Sequence, residues 1–195
     1  SGQLSGDACD HWNRKEQDIQ LIKDLNVSHY RFSIEWSRIE PQQGIWDDDA
    51  IQWYSDLVDQ LLAKGIQPMA TLHHFTHPLW WDEKGGFEKE DNVDDWVRFC
   101  VKMFEALSDR VDWWCTINEP AVFASMGYVL GEFPPGERSF KKTRIVSTNL
   151  MIAHARCYQT LKSMTHGKRA HIGLVKNINL FDPYRRWNPL HRFQA

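Results

Sequence analysis

Apolar positions along this chain alternate between helical and strand spacing. Ile19, Ile22 and Leu25 recur at helical intervals and predict a helix over Trp12–Leu25. From His29 to Trp36 the period drops to two, with Tyr30, Phe32, Ile34 and Trp36 on one face and His29, Arg31, Ser33 and Glu35 on the other. That pattern predicts a strand whose second face is polar. Pro41 and Gly44 mark the loop beyond it. Asp49–Lys64 returns to helical spacing through Ile51, Tyr54, Leu57, Val58, Leu61 and Leu62, and Gly65 is the expected terminator. Gln67–Phe75 predicts the next strand, ahead of Pro78, and Leu79–Asp91 predicts a loop rich in Trp, Gly and charge. Asn92 is the expected cap of a helix carrying Val93, Trp96, Val97, Phe99, Cys100, Met103 and Leu107. The run Val111–Ile117 predicts a strand reaching Glu119. Ala121–Lys142 reads as a short helix followed by a Gly/Pro-rich loop, Gly131–Gly136. Thr143–Met164, closed near Gly167, predicts a further helix, and Ala170–Asn179 a fourth strand. Ser1–Cys9 is small and polar and reads as a loop.

Strict alternation of strand and helix signals a parallel sheet with helices outside it. The strands start near His29, Gln67, Val111 and Ala170. Units of about 45 residues would make an eight-unit barrel of roughly 350 residues, within the range such barrels reach. Four strands amount to about half of that. The expected fold is therefore α/β, a partial (β/α)8 TIM barrel. No low-complexity linker divides residues 1–195, which read as a single domain.

Composition narrows the classes. A formal net charge of −3 argues against nucleic acid as a partner. No apolar run approaches the roughly 20 residues of a membrane helix, so no membrane is expected, and no signal peptide is visible. Ten tryptophans are many, enough to fill a large core or to line a site that stacks flat apolar faces such as sugar rings. Cys9, Cys100, Cys115 and Cys157 show no metal-type spacing and read as buried free thiols, consistent with a reducing, cytoplasmic location.

Three predicted strands end alike, in polar residues followed by proline: Glu35-Trp36-Ser37-Arg38-Ile39-Glu40-Pro41, His74-Phe75-Thr76-His77-Pro78 and Asn118-Glu119-Pro120. Proline cannot donate to a sheet ladder, so each strand stops there. The C-terminal tips of strands are where α/β folds keep their chemistry. Glu119, among Trp113, Trp114 and aromatic loops, is a candidate general acid/base, or else a water-exposed strand end. Asn118 either points to the opposite side of its strand or reaches the same cleft through a kink at Pro120, where its amide could both donate and accept. Arg31, on the polar strand face, either orients catalytic carboxylates or forms a structural ion pair, with Glu35 as one partner. Of His73, His74 and His77, His74 can enter the cleft as a hydrogen-bonding group. A zinc site through His74 and His77 has no evident third ligand, so no metal is expected. Trp80, Trp81 and Phe87 either wall the cleft or pack the loop, whereas Trp36, Trp53, Trp96 and Trp187 read as core or interface.

Together these pieces resemble glycoside hydrolase family 1, the β-glucosidase and β-galactosidase family. The matching segments are Gly6-Asp7-Ala8-Cys9-Asp10-His11-Trp12, Tyr30-Arg31-Phe32-Ser33-Ile34-Glu35-Trp36-Ser37-Arg38-Ile39, Thr71-Leu72-His73-His74-Phe75-Thr76-His77-Pro78 and Thr116-Ile117-Asn118-Glu119-Pro120, in the family's order. The resemblance implies a (β/α)8 barrel of which this chain holds strands 2–5, a β-glycoside substrate, a retaining mechanism and no cofactor. It also implies Glu119 as acid/base, Asn118 on the sugar's 2-hydroxyl, His74 in the subsite of the cleaved sugar and Arg31 close to the nucleophile. Phe75-Thr76 stands where many members have Trp-Asp, which leaves the aglycone open. The family's nucleophile, a Glu in a Glu-Asn-Gly context on a late strand, has no counterpart, since Asp182 is the only acidic residue after Glu137. The expectation is an acid/base half-site with little or no activity by itself. The alternative is a non-catalytic sugar-binding or self-associating half-barrel, with a second copy or a complementing C-terminal half as partner. Glucose, galactose and phosphorylated glycosides are not distinguished by these segments.

Overall fold

The computed structural model describes residue 6, residues 8–178 and residues 180–194. Four strands, β1 (His29–Ser33), β2 (Gln67–His73), β3 (Trp113–Asn118) and β4 (His171–Val175), form one sheet in the order β1-β2-β3-β4, every pair parallel. The helices are α1 (His11–Asp24), α2 (Trp36–Ile39), α3 (Asp48–Ala63), α4 (Leu79–Glu83), α5 (Val93–Leu107), α6 (Pro120–Ser125), α7 (Phe140–Ser163) and α8 (Pro189–Gln194). Sequential parallel strands joined by helical crossovers are the topology of a (β/α) barrel, here an open one with β1 and β4 at its edges.

The long helices form where the sequence supplies both an apolar stripe and an end signal. Asp47 caps α3 by accepting from the Ala50 N–H at 2.9 Å, and Asp48 and Asp49 favour the helix dipole. Gly65 closes that helix with φ 74°, a left-handed turn that glycine adopts freely. Ser139 caps α7 through the Lys142 N–H at 3.3 Å. The core lies between the outer face of the sheet and α3, α5 and α7, where Phe32, Leu57, Leu61, Leu72, Phe104 and Trp114 are buried.

Register fixes the other face. Arg31, Met69, Trp113 and His171 align across the sheet, and Ser33, Thr71, Cys115 and Gly173 form the next row toward the C-terminal ends. In a closed barrel these rows would fill the interior. In the open sheet Arg31, Trp113 and His171 are exposed, and the Trp113 and His171 rings stack at 4.3 Å.

Several expectations need correction. The strand expected through Trp36 stops at Ser33, and α2 follows it. Phe32, Ile34 and Trp36 are all buried as the alternation implied, because the same apolar layer continues from strand into helix. Similarly β2 ends at His73 and β4 at Val175. The expected loop Leu79–Asp91 holds α4 and two single 3₁₀ turns, Gly86–Glu88 and Glu90–Asn92. Asn92 does not cap α5 through its side chain: its amide donates to the Lys84 and Gly86 carbonyls instead. One π-helical turn, Met126–Leu130, extends α6. The helix expected from Thr143 begins at Phe140, one residue beyond its cap. Trp187 is exposed, unlike the buried Trp36 and Trp96, and Cys9 is exposed while the other three thiols are buried. Most of the expected loop Ser1–Cys9 lies outside the described residues, as do Asp7 of the first family segment and Asn179 of the expected fourth strand.

Candidate active site

The site is assembled at the C-terminal ends of β1, β2 and β3. Two backbone devices aim the end of β3. Cys115 pairs with Gly173 and Asn118 with Val175, so β3 spends one residue more than β4 over the same stretch. This bulge brings Asn118 onto the face that Cys115, Gly173 and Val175 share. Glu119 then adopts φ 44° and ψ 60°, left-handed backbone that a non-glycine residue holds only when its surroundings enforce it. Here its N–H donates to the Val175 carbonyl at 2.8 Å, and its own carbonyl accepts from the N–H groups of Val122 and Phe123 at 2.9 and 3.0 Å. Pro120 opens α6 at its first position, where no amide hydrogen is needed. The expected kink at Pro120 is therefore not what reorients Asn118; the bulge before it does so.

All four residues singled out in the sequence meet at this rim. The Arg31 guanidinium Nη1 donates to Asn118 Oδ1 at 3.2 Å, spanning from β1 to β3. The alternative Arg31–Glu35 ion pair is not seen among the described residues. His74 is half-buried and shares a 2.7 Å hydrogen bond between its Nδ1 and Ser33 Oγ. Burial holds its imidazole below the ordinary value, the positive Arg31 adds to that shift, and the negative Glu119 opposes it. Asn118 is buried and Glu119 half-exposed. A carboxyl group, an imidazole, a guanidinium and an amide thus converge where they can donate to and accept from a hydroxyl-rich ligand.

The neighbouring histidines do something else. His73 is fully buried against Phe87 and Phe123, and its Nε2 meets His77 Nδ1 at 3.4 Å. His77 in turn meets Asp82 at 3.2 Å. Burial, with His77 and His74 adding to it, pushes the His73 imidazole well below its ordinary value, so it stays neutral. Among the described residues no group of three His, Cys, Asp or Glu side chains is placed to hold a metal ion. Of the loop aromatics, Trp81 and Phe87 are packing residues, fully buried and in edge contact at 4.8 Å, whereas half-buried Trp80 donates to the Glu40 carbonyl at 3.0 Å. The Phe75 ring meets that of His74 edge-on at 5.2 Å and lies 5.8 Å from that of Phe133 and 6.5 Å from that of Phe123.

Sequence reasoning did not single out Ser33 or Thr76. Ser33 holds His74, and Thr76 Oγ1 donates to Glu35 Oε2 at 2.7 Å. The signal was present for Ser33, which shares the polar alternation face of Arg31 and Glu35.

Comparison with known proteins places the chain in a family. The family model described as glycosyl hydrolase family 1 matches residues 1–191. A β-glucosidase A of Thermotoga maritima is 36% identical over 184 residues, which cover 94% of this chain and 41% of that protein. A 6-phospho-β-galactosidase of Clostridium acetobutylicum is 37% identical over 180 residues, 91% of this chain and 38% of that protein. The solved β-glycosidase of Pyrococcus horikoshii superposes with a TM-score of 0.84 at 41% identity, covering 92% of this chain and 41% of that one. The chain thus spans about two fifths of each relative's length. Its open four-stranded sheet is part of their barrel, and the chain belongs to glycosyl hydrolase family 1.

Proposed function

We propose that this chain carries the proton-handling side of β-glycoside hydrolysis by a retaining, double-displacement mechanism. Glu119 is the acid/base. Asn118 and His74 hold hydroxyls of the sugar, and Arg31 orients Asn118 and biases the local charge. In the first step the Glu119 carboxyl protonates the departing glycosidic oxygen while a second carboxylate attacks the anomeric carbon. In the second step Glu119 takes a proton from water, which displaces the enzyme carboxylate from the sugar. The two carboxyl groups must stand about 5 Å apart. Glu35, the carboxylate at the tip beyond β1, is committed to Ser37 and Thr76 and does not serve as that partner. The attacking carboxylate therefore comes from another part of a family barrel, and this chain alone turns over little or no glycoside.

The observation that carries the reading is the left-handed Glu119 at the bulged end of β3, with its charge felt by a His74 that also feels Arg31. The relatives support β-linked glycosides as the substrate class, named as they are for glucosides and a phosphorylated galactoside. A solved Thermotoga maritima β-glucosidase carries deoxynojirimycin, a sugar-like ligand suited to probing this rim. A cytoplasmic location belongs to the same reading, resting on four free thiols. As for bilayers, among the described residues no helix is long and apolar enough to cross a membrane.

The test is turnover of an aryl β-glucoside. The chain alone is expected to be inactive, and adding a polypeptide that carries the remaining strands of a family barrel is expected to restore hydrolysis. Glu119→Gln should lower the restored rate by about 10²–10⁴-fold, the usual worth of a positioned acid/base. Robust turnover by the isolated chain, or full activity of Glu119→Gln in the restored barrel, would refute the proposal.

A further inference from the structure

The backbone pairing of β1 with β2 runs out at Ser33 and Thr71, with a last bond from the Ile34 N–H to the Thr71 carbonyl at 2.9 Å. Beyond that point side chains join the two segments. Ser33 meets His74 at 2.7 Å, and two residues further on Glu35 meets Thr76, also at 2.7 Å. Between these two rungs lies Phe75, with φ 73°. Left-handed backbone at a bulky residue persists only where the structure around it leaves no alternative.

Each Glu35 carboxylate oxygen has its own task. Oε1 accepts from the Ser37 N–H at 3.3 Å and hydroxyl at 2.7 Å, which opens α2, while Oε2 accepts from Thr76. The Glu35 N–H donates to the Tyr54 hydroxyl oxygen at 2.9 Å, so the residue is anchored to α3 as well. An O–H bond to a carboxylate is roughly twice as strong as one between neutral groups, which suits a rung that must hold an unfavourable turn.

We infer that Glu35 is a positioning residue of this site: through Thr76 it fixes the left-handed Phe75 turn, and thereby sets the depth and orientation of the His74 ring. The role needs no contact between Glu35 and the sugar. The role deepens the glycosidase reading, on which it rests for the claim that His74 meets sugar, but its geometry stands independently of that claim.

The test follows the His74 ring by NMR across pH in the 195-residue chain. The groups facing that ring are Ser33, Arg31, Glu119 and Phe75, with the buried, neutral His73 beside it in the chain. Thr76→Val keeps the shape of the side chain and deletes the rung. It and Glu35→Ala are each expected to raise the midpoint of His74 toward the ordinary value near 6.5, as the ring opens to water. The double variant should move it no further than the stronger single variant, since both cut one link. Glu35→Gln retains an acceptor oxygen for Thr76 and should restore most of the wild-type midpoint. Ser37→Ala, which cuts only the α2 side, should leave it unchanged. If Glu35→Ala fails to fold, Thr76→Val and Glu35→Gln decide the matter. A folded Thr76→Val chain whose His74 signal and midpoint match wild type overturns the inference. Full activity of Glu119→Gln in a restored barrel would instead sink the acid/base reading while leaving the clamp intact.

Discussion

Glu119 and Phe75 are both non-glycine residues in left-handed backbone, and they flank the site from β3 and β2. Each such residue costs of order 1–3 kcal/mol, and the strain is spent where polar groups must converge. The electrostatic consequence is testable at Arg31. Its positive charge disfavours protonated His74, so Arg31→Met should raise the His74 midpoint, read by the same NMR titration, while Glu119→Gln should lower it. A midpoint indifferent to both changes would mean that the three groups do not share one field. His74, Asn118 and Glu119 were legible because their chemistry sits in the sequence at strand ends before prolines, and Arg31 because it lies on the polar face of an alternating strand. A shared cleft was expected from the three like strand ends; the way the chain builds it was not, because it depends on one extra residue in β3 and two left-handed turns. Neither a bulge nor a positive φ at Glu or Phe leaves a mark in residue type, since the usual marker of such turns is glycine.

At the scale of elements, long helices and strands were legible and short ones were not. α3, α5 and α7 each run over several turns, enough for an apolar stripe to declare itself. α2 and α4 have 4 and 5 residues, too few to establish a period. The apolar alternation of Phe32, Ile34 and Trp36 continues through the end of β1 because α2 buries Trp36 in the same layer. Burial pattern therefore overstated the strand. What holds α2 and its loop is Glu40, fully buried, which accepts from Trp36 Nε1 at 2.9 Å, the Gly44 N–H at 2.7 Å and Arg98 Nη2 at 2.6 Å. Removing it leaves a buried indole N–H unpaired, so Glu40→Ala should cost about 3 kcal/mol in urea unfolding. Asp47→Ala, which removes only the cap of α3, should cost about 1 kcal/mol in the same assay. An equal cost for the two would contradict the anchoring role of Glu40.

For the molecule as a whole, two properties follow from an open sheet with buried imidazoles. His73, His74 and His154 are all held below their ordinary values, burial being the first cause in each. Their unfolded forms bind a proton below about pH 6.5 while the folded forms do not, so stability is fully present above that pH and falls as pH drops toward the folded values. The fully buried His73, packed by His77, Phe87 and Phe123, should dominate, with a slope approaching about 1.4 kcal/mol per pH unit, and His73→Phe should flatten the curve. The second property concerns association. β1 and β4 each have one neighbour in the sheet, leaving a row of backbone donors and acceptors on the other side. The β4 edge adjoins an apolar groove lined by Pro120, Ala121, Met151 and Leu174, and the β1 edge a mixed cavity where Tyr30, Phe32 and Trp53 lie beside Arg31, Glu35 and Arg38. All strands run in one direction, so β4 of one copy meets β1 of another in the parallel sense that the sheet already uses. Parallel sheets persist almost only where both faces are covered, and a second half-sheet would cover the exposed row of Arg31, Trp113 and His171. The isolated chain should therefore self-associate with rising concentration, seen as a mass increase in sedimentation equilibrium. Leu174→Asp, which puts a charge in the groove beside β4, should shift it toward monomer. A wild-type chain that stays monomeric at every concentration, with Leu174→Asp indistinguishable from it, would refute pairing through these edges.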